Sequence, residues 1–348
     1  MIQKDSSTIE SRMAAVNAAR LANAAEEALE PDLPIIDPHH HFWDYPTHRY
    51  LLDELIDDTN SGHNIEQTVF IECSVFYKPN VGDALKVVGE VEFVNGLAAM
   101  SAGGRYGPLR AANGIVGMAD LTLGGAVEEV LNAQIAAGGG RFKGIRYAAG
   151  WEDKTSDIHM SHTQPPRYLY RDHTAFREGF KKLGELGLTF DAWLYHTQLD
   201  DLIDLARSFP EQPIVLNHVG GPLGLSYYAS RKAEVFAEWQ RAIVELATCD
   251  NVVIKLGGLG MKLNGFGFEL RDTAPSSTEL AAAWKPFIEG AIEAFGASRC
   301  MFESNFPVDK ISGSYGNYWN AFKRLAQGAT ADEKYALFKG TAERFYQL

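Results

Sequence analysis

Clusters of basic residues are missing from this sequence. Across 348 residues, 32 lysines and arginines stand against 45 aspartates and glutamates, a formal charge of −13, and no basic run breaks the pattern. That balance argues against nucleic acid or an anionic membrane as a partner. Cysteine is scarce. Cys73, Cys249 and Cys300 are odd in number and far apart, so no disulfide framework or C-x-x-C motif is implied, which fits a reducing cytoplasm. No stretch reaches the ~20 apolar residues of a membrane span. Met1 to Glu30 is polar and alanine-rich and lacks the apolar centre of a signal peptide. No G-x-G-x-x-G or phosphate-binding loop follows the first apolar run, so the usual nucleotide signal is absent. What is left is an enzyme-sized protein with 46% hydrophobic residues, expected to be cytoplasmic.

Short apolar runs alternate with helical periodicity. The runs are Leu33–Ile36, Thr68–Ile71, Gly114–Ala119, Phe142–Tyr147, Leu188–Leu194, Pro213–Asn217, Val252–Leu256 and Cys300–Phe302. Helical patterns lie over 83–100, 127–136, 173–186, 198–208, 231–247 and 277–295, and two further helices close the chain. Such alternation implies parallel strands joined by right-handed crossovers. Eight units in roughly 300 residues point to an α/β (β/α)8 TIM barrel. Residues 32–348 form that barrel, and residues 1–31 form an N-terminal helical extension over Ser7–Leu29, ended by Pro31 and Pro34. The extension is expected to pack on the domain or on a second copy of the chain.

Barrel enzymes carry their chemistry at the C-terminal ends of the strands. Those ends read His39/His41, Glu72, Asp120, Arg146, His196, Asn217/His218, Lys255 and the run Glu303 to Lys310. In an extended strand, His39 and His41 share a face about 6.5 Å apart while His40 points elsewhere. Such a pair suits one metal ion or one substrate. Arg146 suits a substrate carboxylate. Each has a plainer reading. The histidines cap a turn, Glu72 pairs with Arg146 or Lys255, Asp120 caps a helix, and Lys255 is solvated. The face of His196 depends on one residue of register. His159, His162 and His173 read as surface residues in or beside the long loop 148–172.

In order along the chain stand Asp37-x-His39-x-His41-x-Trp43, Gly144-Ile-Arg146, Gln198-Leu199, His218-x-Gly220, Lys255-Leu-Gly-Gly-Leu259 and Phe345-Tyr-x-Leu348. Together these resemble the amidohydrolase superfamily, in its amidohydrolase-2 branch of sugar lactonases and pyrone-dicarboxylate lactonase. The resemblance covers nearly everything after Pro31. It implies hydrolysis of a lactone or ester in a small carboxylated molecule. His39, His41 and His218 would hold one divalent metal, zinc or manganese, or polarise the carbonyl without one. Metal-bound and metal-free operation stay nearly level, and strand five offers no bridging lysine for a second ion. Arg146, with His196, Trp43 and Tyr147, would bind substrate.

The sequence departs from the family in one place. The eighth strand of relatives ends Ser-Asp-Trp-Pro, whose aspartate is the base for the attacking water; here the run is Ser304-Asn305-Phe306-Pro307. An amide does not accept that proton, and a lost base costs 10²–10⁴-fold. Three consequences stay open. The base moves to Asp309, Glu72 or His196; Asn305 orients water or substrate; or hydrolysis is lost. Two rival functions follow: metal-dependent decarboxylation of an aromatic or unsaturated acid, and a non-catalytic binding barrel. In the binding barrel, Asn305→Asp would restore some activity. The aromatic loops hint at a ring in the substrate, and the N-terminal helix is a candidate contact for a homo-oligomer.

Overall fold

In the computed structural model, which describes residues 18–46, 48–154 and 165–348, eight parallel strands follow one another in chain order around a barrel. They are β1 (Pro34–His40), β2 (Asn64–Ile71), β3 (Arg110–Gly117), β4 (Phe142–Ala148), β5 (Thr189–Trp193), β6 (Ile214–Leu216), β7 (Val252–Leu256) and β8 (Cys300–Phe302). Their apolar runs are buried on both faces, as helix-covered parallel strands require. The expected strands and helices recur with small shifts at their ends. The helix over Ser277–Phe295 starts where the sequence puts it, because Ser276 and Glu279 cap each other reciprocally.

The seam between β8 and β1 closes just beyond β8. There the His41 N–H donates to the Phe306 carbonyl at 2.8 Å, and the Asn305 N–H donates to the His39 carbonyl at 2.9 Å. Buried Asp37 reinforces the seam by accepting the Ser304 N–H (3.0 Å), the Ser304 hydroxyl (2.5 Å) and the Tyr315 hydroxyl (2.9 Å). Closure therefore brings the His-x-His stretch beside the Glu303–Asn305 stretch. At the opposite end, Ile36, Val69, Ile71, Val116, Val215 and Met301 pack with Ala342 and Tyr346. The last helix, Thr341–Tyr346, thus plugs the barrel floor.

The N-terminal expectation needs correction. Positions 7–17 lie outside the described residues, and the described helix, Ala18–Ala22, ends well before Leu29. Tertiary partners replace the helical hydrogen bonds from there on. Asn317 donates to the Ala24 carbonyl, Asn320 to that of Glu27, and Lys323 to those of Leu29 and Glu30. Arg20 ties the short helix to its own barrel through the carbonyls of Phe268, Arg271 and Ile311. His159 and His162 also lie outside the described residues, and His173 caps the helix Thr174–Glu185 through Nδ1.

His63 shows how deeply the fold depends on neutral imidazoles. Its Nε2 donates to the Gly316 carbonyl at 3.0 Å, and its Nδ1 accepts from Lys323 Nζ at 2.8 Å. Burial, helped by the Lys323 ammonium, lowers its pKa to about 4. Because this folded value lies below the ordinary 6.5, the unfolded chain takes up the proton first. The stability His63 supports is complete above pH 6.5 and is lost as pH falls toward 4. Gln at this position keeps one donor and one acceptor and does not titrate. Relative to His63→Gln, wild type should lose about 1.4 kcal/mol per pH unit across that window. Urea unfolding of both proteins at stepped pH checks this, and a constant difference would contradict it.

Candidate active site

A single buried carboxylate, Glu303 at the end of β8, gathers two of the histidines. Its Oε1 accepts from His218 Nδ1 at 2.7 Å and from the His218 backbone N–H at 3.0 Å. Its Oε2 lies 2.7 Å from His39 Nδ1. The two imidazole centroids are 4.5 Å apart, and the His39 and His41 rings meet edge to face at 5.0 Å. His40 points away, as strand alternation requires, and packs against Phe42 and Phe70. Two glycines make the arrangement possible. A Cβ on Gly258 would stand 2.3 Å from His218 Nδ1, and one on Gly257 would stand 2.5 Å from Glu303 Cγ. His218 and Val219 both adopt positive φ, 55° and 46°, which is costly for a β-branched residue and typical of functional turns.

The partners fix the tautomers. Burial, with the cations Lys255 and Arg146 close by, holds His39 well below its ordinary pKa, and burial does the same for His41. Burial also lowers His218, against the pull of Glu303. Each ring is therefore neutral with one proton. In two of them Nδ1 hydrogen-bonds an oxygen that can only accept, Glu303 for His218 and the Ile71 carbonyl at 2.8 Å for His41, whereas His39 Nδ1 lies between Glu303 Oε2 and the Lys255 ammonium. In His41 and His218 the proton therefore sits on Nδ1, and their Nε2 atoms carry a lone pair. Such lone pairs cannot donate to a developing oxyanion. They suit a cation or a proton donor.

Around them runs a row of buried charge. Arg146 Nε donates to Glu72 Oε1 at 2.7 Å, its Nη2 donates to the Glu72 carbonyl, and its Nη1 stands 3.4 Å from His39 Nε2. The fork expected to grip a substrate carboxylate is thus largely engaged on Glu72. Lys255, which the sequence places at a strand end with a solvated position as the plainer reading, is fully buried. It pairs with Asp191 at 2.7 Å and lies 3.3 Å from His39 Nδ1. Its position is set by β7, whose register turns it into the barrel.

Asn305 has a positive φ of 56°. Its Nδ2 donates to Asp309 Oδ1 at 2.8 Å, and its Oδ1 stands 3.4 Å from His41 Nε2. Asp309 is fully buried, accepts the Gly260 N–H as well, and is pushed well above the carboxylate range by burial. His196 accepts the Leu223 N–H at Nδ1 and packs on Tyr228. Trp43 stacks on His41 and Trp193 meets His218 edge-on, so indoles wall the site. Tyr147 points its hydroxyl at Asp120, 3.4 Å away, while Asp120 caps the turn after β3. The sequence places Glu303 at a strand end without giving it a role, and it gives no reading of Asp191. The signal for Glu303 was its place at a strand end, and for Asp191 it was a lone charge inside the apolar run of β5.

Among the described residues, His39, His218 and Glu303 form a buried set whose donor atoms all lie within 4.8 Å of one another. Two imidazoles and a carboxylate are a common zinc donor set. The surrounding charge agrees: Glu72, Asp191 and Glu303 outnumber Arg146 and Lys255 by one. The residues present fit a divalent ion, and Glu303 joins two of the three histidines expected to hold it.

The amidohydrolase family model matches residues 36–348. An uncharacterized protein, y4mH, of Sinorhizobium fredii is 30% identical over 343 residues, covering 91% of this chain and 99% of that one. L-fucono-1,5-lactonase of Burkholderia multivorans is 30% identical over 178 residues, which is 51% of this chain and 57% of the lactonase. The crystal structure of an amidohydrolase from Burkholderia multivorans with bound zinc superposes with a TM-score of 0.69 at 23% identity. It covers 90% of this chain and 99% of that one.

The Lys255–Asp191 pair has a sharp consequence for stability. Lys255→Met leaves Asp191 buried without its cation and should cost about 3–5 kcal/mol. Adding Asp191→Asn to the same chain should recover part of that loss. Denaturation of the single and double variants measures the coupling, and equal stabilities would show that the charges do not matter to each other.

Proposed function

The chain belongs to the amidohydrolase family, and we propose that it opens the ring of a small lactone by attack of water on the carbonyl. It is an enzyme, a hydrolase of that family. The observation that carries the lactone reading is the gathering of His39, His41 and His218 with the buried Glu303 carboxylate, walled by Trp43 and Trp193. The lactonase relative supports the same bond type over half the chain.

His39, His218 and Glu303 would hold a divalent ion, zinc by its liking for imidazole and carboxylate, and the bound ion would supply Lewis-acid polarisation of the carbonyl. The chain's own groups do the rest. His41 Nε2 and Asn305 Oδ1, two acceptors 3.4 Å apart, take the two protons of one water and aim its oxygen. The water proton passes to His41 Nε2, whose ring is steadied by its Nδ1–H bond to the Ile71 carbonyl. The same proton then returns to the alkoxide released as the ring opens, giving the hydroxy acid. Arg146 Nη1, the part of the guanidinium free of Glu72, offers one donor to the substrate. In this scheme Asn305 orients water, and the proton acceptor is His41 rather than Asp309, Glu72 or His196. Asp309 serves Asn305, Glu72 serves Arg146, and His196 has its Nδ1 engaged by backbone.

A pH-stat assay across aldono-lactones and pyrone carboxylates, with and without zinc or manganese, tests the reading. Ring opening is expected, and His41→Ala should lower kcat by 10²–10⁴-fold while the protein keeps its metal. Glu303→Gln should instead lower the metal content itself. Carbon dioxide release from aromatic acids, or binding without turnover, would favour a rival and sink the lactonase reading.

A further inference from the structure

The last turn of the chain reaches the working histidines from below. Tyr346, fully buried in the helix that plugs the barrel floor, places its hydroxyl 3.0 and 2.9 Å from the two carboxylate oxygens of Asp191. Asp191 Oδ2 also accepts from Asn217 Nδ2 at 3.0 Å and from Lys255 Nζ at 2.7 Å. Lys255 Nζ lies 5.3 Å from the centre of the Tyr346 ring and 3.3 Å from His39 Nδ1. Tyr346 therefore touches both members of the ion pair, its hydroxyl on the carboxylate and its ring against the ammonium. The ammonium in turn adjoins the same His39 nitrogen that faces Glu303.

We propose that Tyr346 is a positioning residue: through Asp191 and Lys255 it fixes the placement of His39, so that this one side chain of the C-terminal helix acts on the site. The physical reason is competition for the ammonium. With the Tyr346 hydroxyl in place, Asp191 has three donors and holds Lys255 by one oxygen. Without it, the unsatisfied carboxylate draws Lys255 toward itself and away from His39. Asn217 and Lys255 both donate to Oδ2, so the Tyr346 hydroxyl is the contact that also reaches Oδ1, from within an apolar layer of Ile36, Val69, Ile71, Val116, Val215 and Met301. Lys143 ties the same turn to β4 by donating to the Gln347 carbonyl, which keeps the tyrosine seated.

This inference rests on the reading of His39 as a working residue, and its test has a readout independent of turnover. Tyr346→Phe keeps the ring and removes only the hydroxyl. Expected are a kcat about 10-fold lower with KM within about twofold, the lower end of the effect for a group one step behind a metal-site histidine, and displaced imidazole 15N signals of His39. Phe345→Leu, on the same helix, serves as the packing control and should leave both unchanged. The unmodified protein offers a second measurement: a slowly exchanging Tyr346 hydroxyl proton with cross-peaks to Lys255. Unshifted His39 signals and unchanged kcat in Tyr346→Phe would overturn the proposal. So would losses in Phe345→Leu that match those in Tyr346→Phe, or a rapidly exchanging hydroxyl. Shifted His39 signals in a protein that opens no lactone would leave the positioning intact and sink the lactonase reading instead.

Discussion

Burying charge dictates this structure. Transfer of one ion into a protein interior costs several kcal/mol unless partners surround it, and the barrel mouth holds Glu72, Arg146, Asp191, Lys255 and Glu303 almost without exposure. Each is placed so that another offsets it. Asp191 meets Lys255, Glu72 meets Arg146, and Glu303 accepts from the Nδ1 and backbone N–H of His218 with His39 beside it. Loops, glycines and strained residues then follow from that need. Gly257 and Gly258 leave the space Glu303 and His218 occupy, and Val219 accepts a left-handed backbone so that His218 can reach back over the carboxylate.

The same constraint separates the histidines by role. His40, one residue from either working ring, faces the packing side and is held neutral by burial, with its pKa pushed down to about 3. His39 and His41 face the charges. Alternation along a strand is a coarse device, yet it is enough to divide three consecutive identical side chains between a core and a reaction centre.

Much of this was legible in the sequence, and the failures have physical causes. Strand ends could be found because apolar runs stop where titratable residues begin, which located His39, His41, Arg146 and His218. The face of Lys255 stays open in the sequence because a charged residue within a strand takes one face or the other by a single step of register, and the pairing of β7 with its neighbours settles it. Asp191 was missed for a related reason: its partner Lys255 is 64 residues away and Tyr346 155 residues away, distances across which no local pattern carries information. The N-terminal helix was overextended because helical periodicity from Ser7 to Leu29 says nothing of Asn317, Asn320 and Lys323, whose side chains take the backbone carbonyls of residues 24–30.

Asn305 looks in sequence like a lost base, and its surroundings give it a different meaning. Asp309 Oδ1 lies 2.8 Å from the Asn305 amide, inside a site that already holds Glu303 two residues earlier. An aspartate at 305 would set two carboxyl groups in contact without water between them, and such pairs keep a proton rather than accept one from a substrate. Burial already drives Asp309 toward its protonated form. The amide avoids the conflict. It donates to Asp309 and turns its oxygen toward His41, so the acidic function of the position has been divided between a buried aspartic acid behind and a neutral imidazole in front. Restoring the carboxylate at 305 alone would therefore not restore a base, because Asp309 belongs to the same exchange.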